Sequence, residues 1–194
     1  MRVGLVVPGG FDPGGRQGVI PALVSLAEEL ARRHEVHVFA AAGRAGAARY
    51  RVADVAVTQR PGREPAAALT AGLWRWWRAA GPFDVLHAFW ADRTALLAVA
   101  LARLRGVRAV VSLGGGEVVW LPDLEYGGAG TARSRAVTRT ALRLAGAITA
   151  GSAFVARLLP ADLARNVQLV PLGVDAARFA AAPERPAGPP WRLV

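Results

Sequence analysis

Short apolar runs alternate along the chain with longer stretches in which apolar residues recur at helical spacing. The runs are typical of buried strands, and the stretches, such as residues 19–30, are typical of amphipathic helices. A second helical pattern includes Leu97, Leu101 and Leu104. This alternation predicts an α/β fold, a Rossmann-like, doubly wound parallel sheet. The predicted strands are Arg2–Val7, 34–40, 52–57, Val85–Phe89, 109–113, Ala147–Ala150 and 167–170.

The first predicted strand leads into a glycine-rich loop, and doubly wound sheets bind ligands at the carboxyl ends of their strands. Gly14 and Gly15 let the backbone approach a ligand closely, and the free N–H groups of the helix that follows suit a phosphate. A dinucleotide-binding loop would need glycine where Pro13 stands, so a nicotinamide cofactor is not favoured. Either these glycines contact an anion or a sugar, or they only permit a tight turn.

The composition excludes several kinds of active site. The chain has no cysteine, and all 24 of its basic residues are arginine. Cysteine nucleophiles, thiolate zinc sites and catalytic lysines are therefore excluded. Three histidines remain, His34, His37 and His87, and their positions do not predict a metal site.

The formal net charge of +10 favours anionic partners such as sugar nucleotides or phospholipid headgroups. A genome that encodes arginine freely would explain the same charge, so both interpretations stay open. No apolar run is long enough to cross a bilayer: the best candidate, residues 94–104, has only 11 residues and contains Arg103. We expect a cytoplasmic protein that contacts the inner face of the membrane peripherally.

One predicted helix combines tryptophan and arginine, as a helix on a bilayer interface does. Helical geometry places Trp74 and Trp77 on one face and Trp76 on another. The expected membrane contact consists of Trp74, Arg75, Trp76 and Arg78. The alternative is that Trp74 and Trp77 pack in the core and the arginines form a solvated face.

The C-terminal part of the sequence has a different composition. Residues 180–190 are rich in proline and alanine, which predicts a semi-rigid linker. Residues 191–194 are similar to the start of another strand, and a strand cannot be buried alone. We expect one domain over residues 1–179, then this linker, then the first strand of a further domain.

Four segments of the chain carry motifs in a fixed order. The glycines of the first loop precede a helix that ends in residues 30–38, LARRHEVHV. Residues 83–90 read FDVLHAFW, residues 110–117 read VVSLGGGE, and residues 170–179 read VPLGVDAARF. Together these segments resemble the N-terminal domain of the retaining glycosyltransferases of family four, and they cover essentially the whole chain.

The resemblance implies the N-terminal half of a GT-B fold, in which two Rossmann-like domains enclose the active site. This half would hold a sugar or lipid-linked acceptor. A C-terminal domain would bind the nucleotide-sugar, which is a substrate, so no cofactor and no nucleic-acid partner is expected. Transfer would retain the anomeric configuration, and the chain alone should be inactive. The alternatives are a sugar-nucleotide epimerase of the same fold and a non-catalytic domain that binds sugars or anionic lipids.

The same resemblance, read with the strand pattern, singles out residues near strand ends. His87, expected at the end of its strand, and Glu117 are the expected catalytic residues; a structural histidine and a helix-capping glutamate are the alternatives. Gly114 stands where the family usually has a histidine close to the reacting sugar, so this loop is recognisable but altered. The expected substrate-binding residues are Gly14, Gly15, Arg16, Gln17, Gly114 and Gly115.

Overall fold

Eight strands form one sheet in the order β3-β4-β2-β1-β5-β6-β7-β8. This is a computed structural model, and it describes residues 1–11, 20–43, 46–61, 64–174 and 176. Every neighbouring pair is parallel except β3 and β4. The strands are β1 Arg2–Val7, β2 Glu35–Gly43, β3 Ala48–Val52, β4 Val55–Pro61, β5 Val85–Phe89, β6 Arg108–Leu113, β7 Ala147–Ala150 and β8 Val167–Leu169. The helices are α1 Pro21–Ala31, α2 Ala66–Ala80, α3 Arg93–Leu104, α4 Ala132–Leu144, α5 Ala153–Arg157 and α6 Ala161–Ala164.

The two sides of the sheet are covered unequally. On one side, α1 packs Leu23 and Ala27 against apolar residues of β1, β2 and β4. On the other side, α2, α3 and α4 form the larger core, which includes Leu73 and Leu142. Within the described residues α1 is the only helix on its side, and on this side His87 of β5, Ser112 of β6 and Thr149 of β7 are half-buried. Side chains of these three strands are therefore accessible there.

The predicted α/β fold with a doubly wound parallel sheet is confirmed, apart from the antiparallel pair β3 and β4, but one predicted strand is wrong. The expected strand 52–57 contains a hairpin turn, because β3 ends at Val52 and β4 begins at Val55, and these strands pair antiparallel. The chain reverses around Ala53, which has a φ of 47°. Val52, Val55 and Val57 are all buried, and these closely spaced β-branched residues are typical of a strand, which concealed the turn.

Helix α3 forms where its pattern indicated, but it buries a different face from the one that its leucines suggest. Ala98, Val99 and Ala102 are completely buried, whereas Leu104 is 76% exposed. The helix packs against β5, β6 and α4. Small side chains let its backbone approach these neighbours closely, at the packing density of a protein interior.

The described part of the chain ends shortly after β8. Residues 175 and 177–194 lie outside it. The linker over 180–190, the strand over 191–194 and the boundary at residue 179 therefore stay predictions.

Candidate functional site

The side chain of Glu117 joins the carboxyl ends of β5 and β6. It lies in a short 3-10 helix, Gly116–Val118, just after β6, and only 7% of the residue is exposed. Its Oε1 accepts hydrogen bonds from the backbone N–H groups of Ala91, at 3.3 Å, and Gly114, at 3.0 Å. Its Oε2 is buried without a hydrogen-bond partner among the described residues. The carboxylate thus fixes two strand ends and keeps one oxygen free for a further donor.

A second carboxyl group, that of Asp92, lies close enough to Glu117 to be affected by its charge. Asp92 caps the N-terminus of α3, where its Oδ1 accepts from the backbone N–H of Ala95 at 2.9 Å. Burial raises the pKa of Asp92, backbone hydrogen bonds from Ala95 and Thr94 oppose that shift, and the charge of Glu117 adds to it. Perturbed carboxyl groups of this kind are typical of functional sites. Sequence analysis missed Asp92, although an aspartate directly before a helical pattern is a capping signal.

Trp90 and Gly114 are in contact at the same edge of the sheet. Trp90 has a φ of 61°, in the left-handed region that bulky residues rarely adopt. Its indole lies over Gly114, since a Cβ atom added to that glycine would be 2.2 Å from Nε1 of Trp90. The histidine that the sequence motif leads one to expect at position 114 would collide with this indole. In this structure the Trp90 indole thus occupies the space that a side chain at position 114 would need. Gly115, next in the loop, has a φ of 105°.

His87 is the middle residue of β5, not its last, so the expected place at the strand end is wrong. It faces the half-open side of the sheet, where its Nε2 is 2.7 Å from Oγ of Ser112. Ser112 Oγ is in turn 2.5 Å from Oγ1 of Thr149. The imidazole stacks on Phe89 at 4.3 Å between ring centroids. Burial lowers the pKa of His87 to about 4, so this chain of polar side chains is uncharged at neutral pH.

Two cavities lie on different sides of the strand ends. One, of about 480 Å³, is lined by His87, Ser112, residues of α1 and residues 170–174. The other, of about 440 Å³, is lined by Glu117, Arg139 and leucines of α4 and α6. The two expected catalytic residues therefore do not share a cavity. No hydrogen bond joins them in the described part of the chain.

The expected phosphate-binding loop lies outside the described residues, which resume at Ile20 after Phe11. The roles of Gly14, Gly15, Arg16 and Gln17 therefore stay predictions. The residues on either side of the loop are described. Phe11 is buried, and its carbonyl accepts a hydrogen bond from Tyr50 at 2.5 Å. Helix α1 begins right after Ile20, without a side-chain cap. The described chain therefore stops four residues after β1 and resumes at the N-terminus of α1.

Trp76 is not available to a membrane, so its assignment as a membrane contact is wrong. Trp76 and Trp77 are 2% and 3% exposed. Trp76 stacks on Phe83 at 4.7 Å, while Trp77 meets the same ring edge-on at 5.1 Å. Consecutive tryptophans can both be buried here because α2 is covered over a broad face that includes Leu69 and Leu73.

The part of the tryptophan-rich helix that does reach the surface is centred on Trp74. This residue is 39% exposed, and the guanidinium of Arg105 lies 5.1 Å from the centre of its ring, in a cation–π contact. Arg75 and Arg78 are exposed on the same helix. We call these four residues the Trp74 patch. No helix among the described residues has the length and apolar character needed to cross a membrane.

Two arginines of α4 form ion pairs with α6. Arg139 and Arg143 both donate to Asp162 of α6, at 3.2 and 3.1 Å. These hydrogen bonds, first from Arg143 and then from Arg139, lower the pKa of Asp162. The described residues contain no group of three or more histidine, cysteine or acidic side chains that could hold a metal ion.

The chain is similar to known proteins both in sequence and in fold. A family model for a glycosyl transferase 4-like domain matches residues 17–174. The solved UDP-GlcNAc 2-epimerase from Methanocaldococcus jannaschii has a TM-score of 0.55 and 9% identity, over 88% of this chain and 45% of that chain. The epimerase from Neisseria meningitidis, bound to UDP-GlcNAc, has a TM-score of 0.55 and 13% identity, over 87% of this chain and 45% of that chain. The epimerase from Rickettsia bellii has a TM-score of 0.52 and 10% identity, over 84% of this chain and 43% of that chain.

These structural similarities, at 9–13% identity, show the fold alone. The chain spans less than half the length of each of these structures. A comparison with curated protein sequences gives no match.

Proposed function

Because the chain belongs to the family of glycosyl transferase 4-like domains, we propose that it is the acceptor-side half of a retaining, nucleotide-sugar-dependent glycosyltransferase. The observation that carries this proposal is the Glu117 carboxylate, which joins the ends of β5 and β6 inside the matched region. Doubly wound sheets bind their ligands at this edge. The matched region thus has a preformed polar group where such a fold places its substrates.

In this proposal Glu117 orients the acceptor hydroxyl. Its Oε2 lacks a partner among the described residues, and a hydroxyl that donates to it would satisfy a buried oxygen. The cavity of about 440 Å³ beside it is lined by Arg135, Arg139 and apolar side chains. A lining of this mixed kind suits an acceptor with polar and apolar parts. Glu117 would thereby position the attacking oxygen and form no covalent bond.

The transfer step itself needs few groups from this half. The bond between the anomeric carbon and the donor phosphate oxygen breaks, and the acceptor oxygen bonds to the same face of the sugar. The acceptor proton passes to the leaving diphosphate. Backbone N–H groups and cations stabilise the charge that develops there. We assign part of this stabilisation to the loop with Gly14, Gly15, Arg16 and Gln17, and the rest to the donor-binding half.

His87 has a different task in this proposal. Since burial lowers its pKa to about 4, the imidazole is neutral at pH 7 and supplies no positive charge to a diphosphate. It lines the cavity of about 480 Å³ together with Ser112. We assign it to substrate contact through hydrogen bonds there. The Trp74 patch is proposed to make a separate, weak contact with anionic membrane surfaces.

The test is sugar transfer by a protein that contains this chain together with its donor-binding half. With a nucleotide-sugar and a panel of acceptors, it should release nucleoside diphosphate and form a glycoside with the donor's anomeric configuration, measured by NMR. Glu117→Gln should lower the transfer rate about a hundredfold, because the acceptor is misoriented. The control His37→Gln, on β2, should not. The 194-residue chain alone should show no turnover.

Two outcomes would contradict this proposal in different ways. A product of inverted configuration would exclude retention and leave glycosyl transfer in place. Conversion of UDP-GlcNAc into its C2 epimer without any acceptor would instead support the epimerase alternative, which is the activity named for the structural neighbours.

A further inference from the structure

We infer that Trp90 contacts the substrate, and that its indole is the surface on which a pyranose ring of that substrate packs. The inference rests on the proposed function and adds a specificity-determining residue to the same site. Trp90 directly follows β5, at the edge where Glu117 joins the strand ends. It is half-buried, so part of its surface remains open.

The backbone of Trp90 is held in a conformation that tryptophan adopts only under constraint. Its φ of 61° brings Cβ close to the following carbonyl oxygen. Its N–H donates to the carbonyl of Ser112 at 2.9 Å, and the next N–H, that of Ala91, donates to Glu117. Hydrogen bonds on both sides thus impose the strained conformation. Strain of this kind is concentrated at active sites and ligand-binding positions.

The indole projects over a glycine that leaves room for it. A Cβ atom on Gly114 would be 2.2 Å from Nε1 and 2.6 Å from Cε2 of Trp90. Within the described residues, Nε1 makes no hydrogen bond, and it is not among the polar atoms that are buried without a partner. Part of the half-buried indole therefore stays accessible beside Gly114, and its N–H has no acceptor among the described residues. The Glu117 carboxylate accepts from the backbone N–H of the same glycine.

A pyranose ring matches this combination of groups. Its faces carry C–H groups, which pack on an aromatic ring, and its rim carries hydroxyl groups, which accept from an N–H. Small-molecule sites commonly combine an apolar or aromatic wall with a few placed polar groups. The competing explanation is that Trp90 only packs on the core beside α1. Binding measurements on variants of Trp90 and Gly114 separate these two explanations.

The experiment is saturation-transfer NMR on the 194-residue chain, with methyl α-D-glucopyranoside, methyl α-D-mannopyranoside and UDP-GlcNAc as probes. Ring C–H protons of at least one probe should receive magnetisation from the wild-type chain. In Trp90→Gly the dissociation constant of that probe should rise about tenfold. Glycine adopts a φ of 61° freely, so this change removes the ring and keeps the backbone. Trp90→Phe should retain part of the binding, and the control Trp74→Phe should retain all of it.

Gly114→Ala is the second variant, because its Cβ must displace the indole while position 90 stays unchanged. Weaker binding in a folded Gly114→Ala chain supports the inference. Unchanged binding in both variants overturns it, and so does the lack of any probe contact with the wild-type chain. If Trp90→Gly does not fold, Gly114→Ala decides alone. Sugar transfer by the complete enzyme is a separate measurement. Transfer without probe binding to Trp90 would contradict this inference and leave the proposed function in place.

Discussion

The stability of this protein should decrease on mild acidification, because of His87. Burial lowers the pKa of this residue from 6.5 to about 4. Below pH 6.5 the unfolded chain binds a proton that the folded chain does not, so the free energy of unfolding falls as the pH falls. The loss is complete near pH 4. One pKa unit corresponds to about 1.4 kcal/mol, so His87 alone should account for about 3 kcal/mol.

The measurement is urea unfolding of the wild type and His87→Gln at several pH values between 7 and 4. Glutamine can still donate to Ser112 but does not titrate. Between pH 7 and pH 4 the wild type should therefore lose about 3 kcal/mol more of its free energy of unfolding than His87→Gln does. His37→Gln is the matched control. Its free energy of unfolding should decrease with pH nearly as much as that of the wild type, because His87 is intact. Parallel curves for the wild type and His87→Gln would refute the argument from burial.

Three further outcomes are expected. Glu117→Ala should lower the free energy of unfolding by about 2–4 kcal/mol, because two backbone N–H groups lose their acceptor; Glu117→Gln, measured in the same urea experiment, should lower it less. Alanine at both Trp74 and Arg105 should weaken binding to anionic vesicles in sedimentation assays, and about 1 M salt should remove most wild-type binding. If the proposed function holds, Gly15→Val in a protein that joins this chain to a donor-binding half should abolish transfer at an unchanged melting temperature; a joint loss of stability and activity would mean that the glycine only permits a turn.

The sequence predicted the strands in the centre of the sheet, because burial on both faces gives such a strand an apolar pattern of its own. β1, β5 and β7 occupy the predicted residues, because central strands of a parallel sheet read as continuous apolar runs. The hairpin at Ala53 was missed, since the buried valines on both sides of the turn are residues typical of a strand. The buried face of α3 was also missed. Its alanines face the core because α4 packs closely on this helix. The apolar pattern of α3 alone does not show how close its neighbour will lie.

The candidate site was predictable only in part, for a similar reason. Glu117 was picked out at the end of a strand, and it does lie there. Its bond to Ala91 and the contact between Trp90 and Gly114 join residues more than 20 positions apart, so they depend on which strands are neighbours. The side of the sheet that His87 faces follows from strand alternation, but the openness of that side depends on helix placement.

The Trp74 patch and the Glu117 site lie at opposite edges of the sheet. Arg105 connects α3 to β6, on the side where the strands begin, whereas Trp90 and Glu117 follow the strand ends. β5 and β6, with five and six residues, span about 15–20 Å. A chain resting on a bilayer through Trp74 would hold its site at about that height above the headgroups, open toward the aqueous phase. An acceptor anchored in that bilayer would then need a hydrophilic spacer between its lipid and the hydroxyl that receives the sugar.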